Sequence, residues 1–196
     1  VDSGSADRTV ELAKSLGAIV HVRAFDTFSG QRNFAHLKCG LKYSWVLHID
    51  ADEVVTDQLI DEMKEVILSD SSYECYEIGS RLMLGNKFLR HASDYPVYQV
   101  RLLHIDQLFE EVGHGQKETA AKDRIGRLRF EYLHYNFSHG IAQWLTRHVG
   151  YARKEAASLK AVRDKNVSSE IFRFDKLRGR RVLKSLFDQS PILTRP

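Results

Sequence analysis

Apolar residues first recur at helical spacing at Val10, Leu12, Ala13 and Leu16, with Ser5 or Asp7 able to cap the start and Gly17 able to stop the helix. Ala18 to Val22 then reads as a strand. A polar turn through Asp26 and Gly30 leads to a second helix at about Gln31 to Leu41, and Trp45 to Ile49 is a compact run of buried-strand character that ends on Asp50. Thr56 is placed to cap a third helix with Leu59, Ile60, Met63, Val66 and Ile67 on one face. Strands alternating with helices predict an α/β domain with a parallel sheet, and such sheets bind ligands at the carboxyl ends of their strands, where Asp2 and Asp50 fall. From Tyr73 the pattern changes to strand-like stretches at Tyr73 to Leu84 and Val97 to His104, so this half is expected to be mixed or antiparallel. A long helix follows from about Ile141 to Val162.

With 196 residues and 43% hydrophobic content, the chain can build one α/β domain, expected over residues 1–165, followed by a tail, residues 166–196. Two cysteines, Cys39 and Cys75, form no C-x-x-C pair, which argues against a disulfide framework and against a thiolate zinc site and suits a reducing, cytosolic setting. No apolar run approaches the roughly 18 residues that cross a bilayer. Net charge is +3, but Arg173, Lys176, Arg178, Arg180, Arg181, Lys184 and Arg195 face only Asp175 and Asp188, which makes the C-terminal end basic. Apolar residues interleave there with the charges, so the tail is expected to be helical and amphipathic, either packed on the domain or lying on an anionic membrane surface.

The segment that carries most chemistry is His48-Ile49-Asp50-Ala51-Asp52-Glu53, directly after a hydrophobic strand. Two carboxylates one residue apart at a strand end place hard oxygen ligands where a divalent cation, Mg2+ or Mn2+, and a diphosphate can meet. The same pair could instead be capping or solvated. Neither a P-loop nor a G-x-G-x-x-G occurs, which argues against NTP hydrolysis and NAD chemistry. The basic residues lie away from the acidic motif and lack interleaved stacking aromatics around it, so a nucleic-acid partner is not expected.

Val1-Asp2-Ser3-Gly4-Ser5-Ala6-Asp7-Arg8-Thr9, Gln31-Arg32-Asn33-Phe34-Ala35 and Asp50-Ala51-Asp52-Glu53, in this order and spacing, resemble the family 2 glycosyltransferases of the GT-A fold. Tyr95 to Leu102 and Gly113 to Glu118 resemble the acceptor-side half of the lipopolysaccharide-core and exopolysaccharide members. The resemblance implies a GT-A, Rossmann-like nucleotide-sugar-binding sheet with flanking helices, from which the family's first strand is missing before Val1. It also implies that Asp2 contacts the nucleobase, Arg32 lies near the nucleotide, Asp50 touches the ribose and Asp52 binds the metal. The expected activity is inverting transfer from a nucleotide sugar, a UDP-sugar first, to a saccharide or lipid-linked acceptor at the inner face of the cytoplasmic membrane. A non-catalytic nucleotide- or sugar-binding module of the same fold is the alternative.

Inverting transfer needs a general base for the acceptor hydroxyl. Glu118 and His114, in the turn around Gly113 to Gly115, are the leading candidates, ahead of Glu110 and Glu111. Gln99 and Arg101 lie on a predicted strand and can line the cleft to meet sugar or phosphate. His134, His139 and His148 do not have the i, i+4 spacing of a helical zinc pair, and they read as loop or groove residues.

Overall fold

The computed structural model describes residues 1–164 except Asp70, Ser93, Gly113 and His114. The expected tail, residues 166–196, lies outside the described residues, as does the base candidate His114. The chain divides into two compact units, Val1–Lys154 and Glu155–Pro196. The architecture below is that of the first.

The elements are α1 (Thr9–Ser15), α2 (Phe28–Lys38), β1 (Trp45–Leu47), β2 (Glu53–Val54), α3 (Asp57–Leu68), β3 (Cys75–Leu84), β4 (Lys87–Phe88), β5 (Val97–His104), β6 (Phe109–Val112), β7 (Gly115–Glu118), β8 (Ile125–His134) and α4 (Ile141–Asp164). The main sheet runs β1-β5-β3-β8-β2, with β4 folded back on β3, and β6 pairs with β7 in a separate hairpin. The domain is thus mixed α/β, with helices flanking a mixed sheet of the Rossmann-like kind.

Alternation within the central strands builds two apolar layers. Tyr76, Ile78, Leu102, Leu128 and Tyr132 join Leu59 and Met63 of α3 in one buried cluster, against which Trp45 and Leu47 pack. Their neighbours Cys75 and Leu103 point the other way and join Phe109 of the hairpin and Ala120 in a second cluster. α3 is held by its predicted cap: the Thr56 hydroxyl accepts from Leu59 N at 3.3 Å and donates to the Glu131 carbonyl at 3.2 Å. Glu62, buried under the sheet, accepts from the backbone N–H groups of Arg129 and Phe130 and from the Arg129 guanidinium, which ties α3 to β8. Gly126 is needed where it stands, because a Cβ there would meet the Tyr76 ring at 2.6 Å.

Two expectations need revision. Ala18 to Val22 forms no ladder among the described residues; it contributes a single parallel bridge, Asp2 to Val22. β1 pairs antiparallel with β5, Trp45 opposite His104 and Leu47 opposite Leu102, and the parallel ladder lies instead between β3 and β8. The strand-helix alternation gives the class of fold, whereas strand partners are chosen by the two apolar layers, which join segments distant in sequence.

Candidate functional site

The turn after β1 is built by its own backbone. Glu53 N donates to the Asp50 carbonyl at 3.0 Å, and Asp50 N donates back to Glu53 Oε2 at 2.9 Å, so Glu53 closes the turn that Asp50 opens. The Glu53 side chain is fully buried and ion-paired to Arg101 of β5, itself 3% exposed. Burial pushes the Glu53 carboxyl up, and the Arg101 charge opposes that shift. Arg101 also donates to Asp50 Oδ2 at 3.1 Å and lies over the Tyr132 ring at 5.4 Å. Arg32 of α2 donates to the other Asp50 oxygen, Oδ1, at 3.3 Å. Both oxygens of Asp50 are therefore engaged by guanidinium groups, although the side chain is 53% exposed.

Asp52 has a different environment. Its backbone carbonyl accepts from Tyr135 N at 2.7 Å, and its carboxylate faces His134 Nε2 at 3.7 Å, at the end of β8. The His134 contact, helped by the Arg147 charge, holds the Asp52 carboxyl below its ordinary range against the opposing effect of burial. Both side chains are about a quarter exposed, so an ionised oxygen and an imidazole nitrogen share one solvent-facing corner. Among the described residues no three His, Cys, Asp or Glu side chains converge as a metal cage. Two protein donors suit a hard cation that keeps waters and takes its remaining oxygens from phosphates.

The three sequence blocks are linked in space. Gln31 donates to Ser3 Oγ at 3.1 Å and accepts from Arg23, and the next residue, Arg32, reaches Asp50. Asp2 is turned onto its own loop: its carboxylate accepts from Gly4 N, Ser5 N and the Ser5 hydroxyl, and the Ser5 hydroxyl above all lowers its pKa. Asn33 clamps the hairpin through a two-way pairing with the Phe109 backbone, at 2.8 Å in each direction. Phe109 then lies 5.5 Å from the Arg32 guanidinium.

A stacked histidine pair, His36 of α2 and His48 just before the acidic turn, links these segments, with Phe109 edge-on to both rings. Nδ1 of His36 lies 3.1 Å from the Ile105 carbonyl, which can only accept, so Nδ1 carries the proton. With that proton on Nδ1, Nε2 of His36 is placed to accept from His48 Nε2, 2.8 Å away. His48, pushed down to about 3 by burial and by the nearby Arg32 charge, stays neutral and keeps the pair intact.

Of the other predicted residues, Gln99 is exposed on β5. Glu118 stands opposite Phe109 at the open end of the hairpin, and its charge adds to the burial that pushes the Cys75 thiol up to about 12. Glu110 and Glu111 are exposed on β6. His134 is the residue that spacing along the chain does not single out. Its signal is positional: it ends a strand of alternating apolar residues, and the strand lies beside the acidic turn, with Glu53 opposite His134 in the β2–β8 pairing.

At the end of β1 the two aspartates are thus used unequally, Asp50 held by two arginines and Asp52 facing His134. No protein-family model matches the chain. It is similar to an uncharacterized glycosyltransferase of Rickettsia bellii, 41% identical over 88 residues, which is 44% of this chain and 29% of that protein. Uncharacterized glycosyltransferases of Rickettsia prowazekii and Rickettsia conorii are 40% and 39% identical over 85 and 88 residues, or 28% and 30% of their lengths. The chain thus spans less than a third of the curated relatives it matches, and the likeness supports a glycosyltransferase in general terms.

Proposed function

We propose that this chain forms the nucleotide-sugar-binding part of a metal-dependent, inverting glycosyltransferase of the family 2, GT-A type. The observation that carries the reading is the unequal use of the two aspartates: Asp50 has a guanidinium on each oxygen, from Arg32 and Arg101, and keeps its exposed side for a hydroxyl donor, whereas Asp52 faces His134 at 3.7 Å. Asp52 and His134 would hold Mg2+ or Mn2+, whose positive charge offsets the charge that develops on a departing diphosphate. Asp50, with Arg32 beside it, would meet the ribose, and the Asp2 loop, tied to α2 through Ser3 and Gln31, would lie toward the base. Gln99, exposed on β5, would line the cleft, with Arg101 acting through the turn rather than on sugar.

In the reaction, the acceptor oxygen bonds to the anomeric carbon as the bond to the diphosphate oxygen breaks, the electron pair leaves with the diphosphate, and the hydroxyl proton passes to a base. Glu118 is our assignment for that base, with His114 second. The clamp between Asn33 and Phe109 supports it by docking the Glu118 hairpin on the helix that carries Arg32. A saccharide or lipid-linked acceptor in cell-surface polysaccharide or lipopolysaccharide synthesis fits this reading, as does peripheral binding of the basic tail to an anionic membrane. No helix among the described residues is long and apolar enough to cross a membrane.

A thermal-shift series with UDP-, GDP- and dTDP-sugars, each with and without Mn2+, tests the class. A donor at a hundred times its Kd should stabilise the protein by about 2.7 kcal/mol only when Mn2+ is present. Absence of any nucleotide-sugar response at millimolar concentration contradicts the proposal.

A further inference from the structure

At the end of β1 away from the acidic turn, the sheet and the C-terminal end of α3 border a cavity of about 480 Å³. Trp45 opens β1 there, opposite His104 of β5, whereas the turn at Asp50 lies beyond the other end of the strand, past the Leu47–Leu102 pair. The volume is within the range of small-molecule sites. Neither aspartate of the acidic turn lines it, nor do Arg32, Arg101 and His134.

One wall is aromatic. The Tyr76 ring, 3% exposed, packs on both Trp45 and Tyr73, with centroids 5.6 and 5.7 Å away. Tyr73 is 42% exposed and lies against Gly126, where a Cβ would meet its ring at 2.8 Å. Packing from behind thus fixes Trp45 and Tyr73, and both line the cavity. The other wall is polar and internally balanced. Glu74 accepts from Arg124 Nε at 3.3 Å through one oxygen and from Gln107 Nε2 at 2.9 Å through the other. Gln107 Oε1 in turn accepts from the Thr119 hydroxyl at 3.0 Å, and His104 Nδ1 lies 3.2 Å from Asp106 Oδ2. The Glu74 N–H donates to the Arg124 carbonyl and the His104 N–H to the Glu74 carbonyl, so the backbone under these side chains is locked.

The charges of Glu74 and Arg124 answer each other, which leaves the wall no single sign with which to draw an ion. Its carboxylates accept, its guanidinium donates and its amide does both, so acceptors and donors stand side by side. A ligand that suits both walls is uncharged, has an apolar face, and carries groups around its edge that donate and accept at once. Hydroxyl groups do both. A sugar ring carries them at its edge and shows polarised C–H groups on its faces, which the negative faces of aromatic rings attract. We propose that this cavity is a binding site for a neutral saccharide of about two rings, separate from the acidic turn, with Trp45 and Tyr73 as its platform and Glu74, Gln107 and Arg124 as its hydroxyl partners. The site is defined by these residues and does not depend on the glycosyltransferase reading.

The test is titration of the 196-residue chain with maltose, cellobiose and N,N′-diacetylchitobiose in EDTA, with uridine in parallel. Trp144→Phe leaves Trp45 as the sole indole, so its emission reports on the cavity, and saturation transfer to sugar protons in the wild-type chain gives a second readout. At least one disaccharide should shift Trp45 emission saturably. Tyr73→Ala should weaken that binding about tenfold, whereas Tyr73→Phe, which keeps the ring, should stay within about twofold of wild type. Arg124→Met should weaken it several-fold. If Tyr73→Ala does not fold, Arg124→Met and Gln107→Leu still decide the matter. No response from either readout with all three sugars at tens of millimolar, or unchanged affinity in the variants, overturns the inference. Uridine binding at Trp45 in preference to the sugars also overturns it and makes the cavity a nucleobase slot. UDP and GDP binding in Mn2+ separates the two ideas: disaccharide binding at Trp45 without nucleotide binding refutes the glycosyltransferase reading and spares this site, and the reverse result spares the reading alone.

Discussion

Replacing Arg101 by Met is the sharpest structural perturbation of the acidic turn. Methionine fills much of the volume of the arginine stem, so packing on Tyr132 is largely kept while the charge is removed. Glu53, fully buried, would then be left, among the described residues, with the Asp50 N–H as its side-chain hydrogen-bond partner. Breaking a buried ion pair from one side costs about 3–5 kcal/mol, because the remaining charge stays desolvated without its partner. In a domain of this size that corresponds to a fall in melting temperature on the order of 10 °C. Glu53→Leu alone should also destabilise, since among the described residues it leaves Arg101 only the half-exposed Asp50 as a counter-charge. The double variant Arg101→Met/Glu53→Leu should be less destabilised than the sum of the two by more than 1 kcal/mol, since neither charge is left alone. Urea unfolding followed by circular dichroism measures all four corners of the cycle. Strict additivity, or an Arg101→Met variant within about 0.5 kcal/mol of wild type, would refute the reasoning.

Three further outcomes follow from individual contacts. Glu62, whose carboxyl is pushed up by burial but brought to a net lowering by the N–H groups of Phe130 and Arg129, contributes stability above its unfolded pKa and loses it as pH falls through the lower folded value. Glu62→Gln should therefore cost about 1.5–3 kcal/mol at pH 7, and the gap to wild type should close as pH falls below the ordinary glutamate range in urea titrations; a gap constant with pH would contradict this. Gly126→Ala forces a methyl into the buried Tyr76 ring and should destabilise by about 1–3 kcal/mol in thermal unfolding, with a neutral result counting against the close approach. Glu118→Gln should lower turnover by a factor on the order of 100 or more while donor affinity stays unchanged, and wild-type turnover would remove Glu118 as the base.

How much of this was legible in the sequence depends on the range of the interaction. The period of Leu59, Met63 and Val66 and the cap at Thr56 are local, and α3 follows them closely. The strand Val97–His104 is likewise bounded as its alternation predicts. The acidic turn is readable because a hydrophobic strand runs straight into two carboxylates. Strand partners are not local: β1 pairs with β5 because Leu102 and Leu47 share one apolar layer, and nothing near Trp45 encodes that. Strand β8 does alternate, through Gly126, Leu128, Phe130 and Tyr132, but interspersed Arg127, Arg129 and Glu131 obscure it until their partners Glu77, Glu62 and Arg81 are seen across the fold. The same distance hides His134, separated from Asp52 by most of the sheet in sequence and by 3.7 Å in space.

The central claim is that Asp52, and not Asp50, holds the cation through which a nucleoside diphosphate binds. Isothermal titration of UDP and GDP into wild type and Asp52→Asn, each with Mn2+ and with EDTA, measures this directly. The account predicts nucleotide binding by wild type only in Mn2+, and no Mn2+-dependent binding by Asp52→Asn with its circular dichroism spectrum unchanged. Equal nucleotide affinity in EDTA, or Mn2+-dependent binding that survives Asp52→Asn, would contradict it.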